Sequence, residues 1–208
     1  MNPTTQKQLL VDCIAFEFSK DQINESIKRN DGKLIVSGIL QTAGVKNQNG
    51  RVYPKETLMR EAANYSENYI KENRALGELD HPDSPIVNLK NVSHNVTEIH
   101  WEGDNLMGRI EVLTTPSGNI LRELFKSGIR LGISSRALGT VKPLSENTVE
   151  VQGDLELVCW DFVSNPSTRG AFVTPINEST NKQLIKNPET QKYQKVEEII
   201  LDILMEIK

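Results

Sequence analysis

The sequence predicts an α+β fold, mainly antiparallel strands with flanking helices. Two observations lead there: short β-branched and apolar runs bounded by Gly, Asn, Asp and Pro turns, and two internal stretches with helical spacing. A third sets the limits, because 208 residues suffice for one well-buried domain with appendages and are short for two.

Gln8 to Phe18 alternates through Ile14, Phe16 and Phe18 and reads as a strand. Asp21 to Gly32 is polar and ends in the turn Asn30-Asp31-Gly32, before a β-branched strand from Lys33 to Gln41. Asn47 to Gly50 is a second turn. Pro54 opens a helix whose face is Leu58, Ala62, Tyr65 and Tyr69, at steps of four, three and four. The segment ALGELDHPDSP, with Pro82 and Pro85, is expected to be irregular and exposed. Val92 to Trp101 and Leu106 to Leu113 form a hairpin around Glu102-Gly103-Asp104-Asn105. Thr115-Pro116 starts a helix with the face Ile120, Leu121, Leu124 and Phe125, and Gly128 caps it. A strand from Leu131 to Gly139, a turn at Pro143 to Asn147, extended structure from Thr148 to Val163 and a short strand at Ala171 to Val173 complete the core. Asn177 to Lys195 is polar linker. Val196, Ile199, Ile200, Ile203, Leu204 and Ile207 then make an amphipathic helical stripe. A helix this short is marginal alone, so its apolar face must dock somewhere.

A net charge of −4 and a pI near 5.5 give no general pull toward nucleic acid or anionic membrane, so protein partners are expected. No apolar run approaches the ~20 residues that span a bilayer. Cys13 and Cys159 have no metal-like spacing, and a reducing, intracellular setting without a disulfide framework is expected.

Chemistry is sought first in GIRLGISSRALG, Gly128 to Gly139, where two hydroxyls and an arginine follow an extended apolar approach. A serine nucleophile needs such access, a base and oxyanion donors. No Gly-x-Ser-x-Gly elbow is present, which excludes an α/β-hydrolase site. Only three histidines are available as bases: His81 in the irregular segment, and His94 and His100 on a strand. Asp161, between Trp160 and Phe162, is the candidate orienter, since an unpaired carboxylate there would be costly. Asp80, His81, Asp83, His94 and His100 are the competing metal donors, although none is spaced as a tight ligand pair.

Three stretches in this order, GELDHP (Gly77 to Pro82), GISSRALG (Gly132 to Gly139) and WDFVSNPS (Trp160 to Ser167), resemble the prohead core proteases of tailed bacteriophages. These are serine proteases similar in fold to herpesvirus maturational proteases. Weaker matches at NGRVYPKETL (Asn49 to Leu58) and LMGRIEVL extend the likeness over about Leu34 to Pro175.

The resemblance implies a β-barrel-like core of the herpesvirus-protease type. It implies Ser134 as nucleophile, His81 as general base and Asp161 as third member, with oxyanion contacts from Ser135 and Arg136 and no cofactor or metal. Asp80 departs from the pattern, where relatives carry asparagine. Residues 1–175 would be the protease domain, 176–195 a linker with a self-cleavage site, and 196–208 a terminal helix that docks the precursor into the scaffold. Such proteases cut after glutamate in Leu/Ile-x-Glu sequences of scaffold and capsid proteins, inside the prohead in the host cytoplasm. Ile176-Asn177-Glu178 and Leu204-Met205-Glu206 are the expected self-cleavage sites, after Glu178 and Glu206, with Ile23-Asn24-Glu25 a third match. Leu76-Gly77-Glu78 and Leu121-Arg122-Glu123 are chance matches in structured, poorly accessible segments. A homo-oligomer is expected; an inert core protein and a metal-dependent hydrolase are the alternatives.

Overall fold

The hairpin around Glu102–Asn105 forms the centre of the larger of two main sheets. A computed structural model describes residues 7–16 and 19–164. The strand expected at Ala171 to Val173, the linker, the terminal helix, Glu178 and Glu206 lie outside the described residues.

Strands β1 (Gln8–Phe16), β7 (Leu131–Gly139) and β10 (Glu156–Val163) make one antiparallel sheet in the order β1-β7-β10. Strands β2 (Leu34–Thr42), β6 (Asn105–Val112), β5 (Val92–Glu102) and β4 (Leu76–Glu78) make a second, in that order. A small third sheet joins β3 (Arg51–Val52), β9 (Thr148–Val151) and β8 (Val141–Ser145); its β3–β9 pair is parallel.

All three sheets are open, so the barrel-like closure implied by the resemblance is not what the described residues form. The two larger sheets meet through side chains and one parallel bridge, Leu79 to Phe162. That pairing stops at one bridge because β4 has three residues before Asp80, at φ +65°, turns the chain away.

Helix α2 (Lys55–Tyr65) continues as a π-helical turn, Ser66–Ile70, and keeps Tyr69 stacked on Tyr65 at 5.0 Å. Helix α3 (Pro116–Lys126) begins as expected: the Thr115 hydroxyl accepts from Gly118 N–H, Pro116 stands at the start, and Gly128 follows at φ +76°. Both helices cover the apolar face of β10. Tyr65 meets Trp160 edge-on at 4.8 Å, and Phe125 meets Phe162 at 5.4 Å.

Three segments differ from the sequence reading. Asp21 to Gly32 contains helix α1 (Lys20–Arg29), held by a Ser19–Gln22 capping box and anchored by the buried Ile23. The start of ALGELDHPDSP is the ordered β4, with Glu78 fully buried. Pro143 lies in edge strand β8 rather than in the turn, which is confined to Glu146 and Asn147.

Candidate active site

Adjacent antiparallel strands bring Ser134 and Asp161 together. β7 is the middle strand, and its register with β10 sets Ser134 directly opposite Asp161, Ser135 opposite Trp160 and Arg136 opposite Cys159. Directly opposed residues share a face, with Cβ atoms roughly 4.5–5.5 Å apart. Ser134, Arg136, Cys159 and Asp161 therefore occupy one face, while Ile133, Ser135, Trp160 and Phe162 occupy the other. The register depends on a bulge between Leu157 and Cys159, where Val158 is the extra residue.

His81 arrives from β4 through a close backbone approach. A Cβ at Gly77 would lie 2.0 Å from Trp160 O and 2.2 Å from His94 Nε2, so only glycine fits. His94 is fully buried, and burial lowers its pKa to about 4, which keeps it neutral. Its Nε2–H donates to Trp160 O at 2.9 Å and its Nδ1 accepts from the Ser93 hydroxyl at 2.9 Å. Beyond Gly77, the Asp80 N–H donates to Phe162 O, and Asp80 takes the left-handed conformation that Asp and Asn tolerate better than most residues. The departure from asparagine there is thus conformationally conservative.

This turn leaves His81 Nδ1 3.6 Å from Asp161 Oδ2. Both atoms are buried and neither has a hydrogen-bond partner. Ser134 Oγ is likewise buried and unpartnered. The three side chains named from the sequence are therefore gathered, but the histidine–carboxylate contact is longer than a hydrogen bond and the serine–histidine bond is not made. Catalytic hydrogen bonds are often long in unliganded sites and tighten on the substrate.

Arg136 explains the state of Asp161. The guanidinium is completely buried, with Nη2 donating to Glu78 Oε1 at 2.9 Å, Asp161 Oδ1 at 3.2 Å and Cys159 Sγ at 3.0 Å. Nε lies 3.0 Å from Asp161 Oδ2, but its proton is directed at Cys159 Sγ at 3.2 Å. Oδ2 thus feels the charge while staying open toward His81. The Glu78 N–H and the Cys159 thiol complete the contacts to Oδ1, at 2.9 and 3.4 Å. Burial works against ionisation of Asp161, but His81, the Glu78 N–H and Arg136 outweigh it and hold the carboxyl below its usual range. Burial pushes the Cys159 thiol up, so it stays protonated and donates.

Ser135 and Arg136 stand on opposite faces of β7. The Ser135 hydroxyl is on the core face, every nitrogen of the Arg136 side chain is engaged, and both residues pair with β1 on one side and β10 on the other, so their backbone N–H groups are taken up by the sheet ladders rather than free for an oxyanion. The five metal-donor candidates do not converge. His94 is bound on both ring nitrogens, His100 pairs with Glu98 and Glu102 at an exposed strand end, and no group of three or more potential donors forms among the described residues. Glu78 and Cys159 were not foreseen as parts of the site, and His94, named as an available base and a metal donor, is instead a neutral structural group bound on both ring nitrogens. Glu78 stands inside GELDHP, so the motif held a signal; Cys159 gave none, since its role comes from cross-strand pairing.

Residues 11–181 match the family described as prohead core protein serine protease. The chain is 32% identical over 167 residues to the prohead core protein protease of Enterobacteria phage T4, covering 76% of this chain and 78% of that protein. Its fold is similar to that of the bacteriophage T4 capsid assembly protease, with a TM-score of 0.67 at 24% identity over 77% of this chain and 99% of the other. The candidate site sits on the face of the β7–β10 pair that GISSRALG and the first residues of WDFVSNPS, Trp160 to Val163, build, and by the extent of the match this chain belongs to the prohead core protein serine protease family.

Proposed function

We propose that this peptidase acts in phage capsid maturation as a serine endopeptidase through Ser134, His81 and Asp161. The observation that carries the reading is the pair of orphaned buried atoms, His81 Nδ1 and Asp161 Oδ2, 3.6 Å apart beside a strand that sets Asp161 opposite Ser134. Each atom is what the other lacks. A closure of under about 1 Å would give a normal hydrogen bond. Asp161 then fixes Nδ1–H, and Nε2 takes the Ser134 proton as Oγ attacks a peptide carbonyl. His81 returns the proton to the leaving amine, and water hydrolyses the ester.

The substrates are prohead scaffold and capsid proteins and the chain itself, cut after glutamate in Leu/Ile-x-Glu, within the assembling prohead in the host cytoplasm. Three self-matches are shielded by folding: Glu25 and Glu123 lie in helices anchored by the buried Ile23 and Leu121, although their own side chains are exposed, and Glu78 is buried. Cutting there requires local unfolding. Glu178 and Glu206 lie outside the described residues, and self-cleavage after Glu178 releases the amphipathic tail. The buried, unpaired Ser134 fits a precursor at rest, and the active enzyme is a homo-oligomer.

The deciding experiment incubates wild-type and Ser134→Ala protein with a peptide containing Ile-Asn-Glu-Ser and reads intact mass. Cleavage after Glu by wild type alone is expected, with a new terminus at Ser179 in the wild-type chain. Equal cleavage by both proteins would remove Ser134 from the mechanism.

A further inference from the structure

The loop from Leu79 to Asn91 carries His81 and has no regular structure beyond the bridge at its first residue. Leu79 packs on the core at its start, but the large apolar side chains of its body do not hold it: Ile86 is 75% and Leu89 is 73% exposed. Its ends are tied by Leu79 N–H to Asn91 O and Asp80 N–H to Phe162 O, and what holds its middle from beneath is one ion pair, Glu78–Arg136, with both side chains completely buried. Arg136 Nη1 donates to Ser84 O at 2.7 Å and lies 3.5 Å from Ile86 O. Glu78 Oε1 accepts the Asn88 N–H at 2.9 Å as well as Arg136 Nη2. The same two residues grip Asp161 Oδ1, through the Glu78 N–H and Arg136 Nη2. One planar guanidinium and one carboxylate therefore join the loop bearing the base to the strand bearing the orienter.

We propose that Glu78 and Arg136 are positioning residues that clamp the His81 loop and set its distance from Asp161 and Ser134. The inference rests on the triad reading above for its catalytic consequence, but the clamp itself is a structural device. An arginine is required because a lysine ammonium is a point donor and cannot span Ser84 O, Glu78, Cys159 and Asp161 together. The pair is needed in full, since removing one member strands a buried charge.

The test compares wild type, Arg136→Lys and the double variant Glu78→Gln/Arg136→Met, which removes both members of the pair and leaves Asp161 with the backbone N–H of position 78 and the Cys159 thiol. Hydrogen exchange is read by residue, and kcat and KM for the Ile-Asn-Glu-Ser peptide are normalised to folded protein. In wild type, the Asn88 amide should exchange at least about 100-fold more slowly than the Leu89 amide. In the variants, exchange at Asn88 should rise at least tenfold while β5, β6 and β7 stay protected, and kcat should fall at least 100-fold with KM within about threefold. Loop exchange unchanged in a folded variant overturns the clamp, whatever the activity. Should neither variant fold, the wild-type comparison decides: equal exchange at Asn88 and Leu89 refutes the proposal. Ser134→Ala is run alongside, because cleavage by that variant refutes the triad while leaving the exchange test of the clamp intact.

Discussion

Changing Asp161 to asparagine should abolish activity by inverting one tautomer. Oδ1 faces three donors, the Glu78 N–H, Arg136 Nη2 and the Cys159 thiol, so the carbonyl oxygen of an asparagine is held at that position. Its NH2 is then forced into the place of Oδ2, 3.6 Å from His81 Nδ1 and 3.0 Å from Arg136 Nε. A donor facing Nδ1 makes that nitrogen the acceptor and moves the ring proton to Nε2, which can no longer take a proton from Ser134. In Ser-His-Asp enzymes this change costs about 10⁴ in kcat, equivalent to about 5.4 kcal/mol of barrier. The same substitution leaves Arg136 facing an NH2 in a dry site, and breaking a buried pair costs about 3–5 kcal/mol of stability. At about 2–4 °C per kcal/mol for a chain of this size, Tm should fall by about 6–20 °C. Circular dichroism therefore sets the assay temperature below the variant's transition, and intact mass follows cleavage of the Ile-Asn-Glu-Ser peptide. A folded Asp161→Asn protein with kcat within tenfold of wild type would refute the tautomer argument.

Three other perturbations test the frame around the site. Gly77→Ala places a methyl against Trp160 O and His94 Nε2, and overpacking with loss of their hydrogen bond should cost about 2–6 kcal/mol; a Tm within 2 °C of wild type would contradict it. His94 is neutral in the fold because burial lowers its pKa from 6.5 to about 4, so its contribution is present above 6.5 and is lost as pH falls toward 4. That amounts to about 3 kcal/mol, and Asp161, also depressed, adds a loss at still lower pH. Urea titrations from pH 7.5 to 4 should show this slope, and His94→Gln should flatten it; an equal slope in the variant would assign it elsewhere. Deleting Val158 should heal the bulge without moving Asp161 from Ser134, since Leu157 and Cys159 already pair with Ala137 and Arg136; loss of activity beyond tenfold in the folded protein would show that the bulge's twist is itself required.

Elements defined by their own residues were legible. The Thr115-Pro116 start and Gly128 stop of α3 and the Glu102–Asn105 hairpin are local signals, and the structure follows them. Helix α1 was obscured because Ile23 is its one fully buried apolar residue, on a polar segment whose cap lies in Ser19 and Gln22 rather than in an apolar stripe. The break between β9 and β10 was obscured too: Asp154 accepts from Thr140 N–H and hydroxyl, a contact fourteen residues away in sequence. For the candidate site, the motifs named Ser134, His81 and Asp161, which the fold brings near one another, yet gave nothing of the distances among them. Arg136 illustrates why. Next to the serines it reads as a group for substrate, whereas its partners Glu78, Ser84 and Asp161 come from elements 25 to 58 residues away.

Strand β10 shows most directly how a site can be hidden inside a correct strand assignment. Strict alternation from Leu157 puts Leu157, Cys159 and Asp161 on one face and Val158, Trp160 and Phe162 on the other. An aspartate sharing its face with Leu157 would be driven into the apolar core. The bulge at Val158 changes the phase once: Leu157 joins Trp160 and Phe162 in the core, and Cys159 and Asp161 are turned to meet Arg136 and Ser134. Trp160 and Phe162, packed on Tyr65 and Phe125, then lock that phase, because slipping by one residue would take both rings off these partners and set the carboxylate in their place. The core side chains on either side of Asp161 are thus what aim it: the hydrophobic energy of two aromatic rings holds one carboxylate opposite one serine.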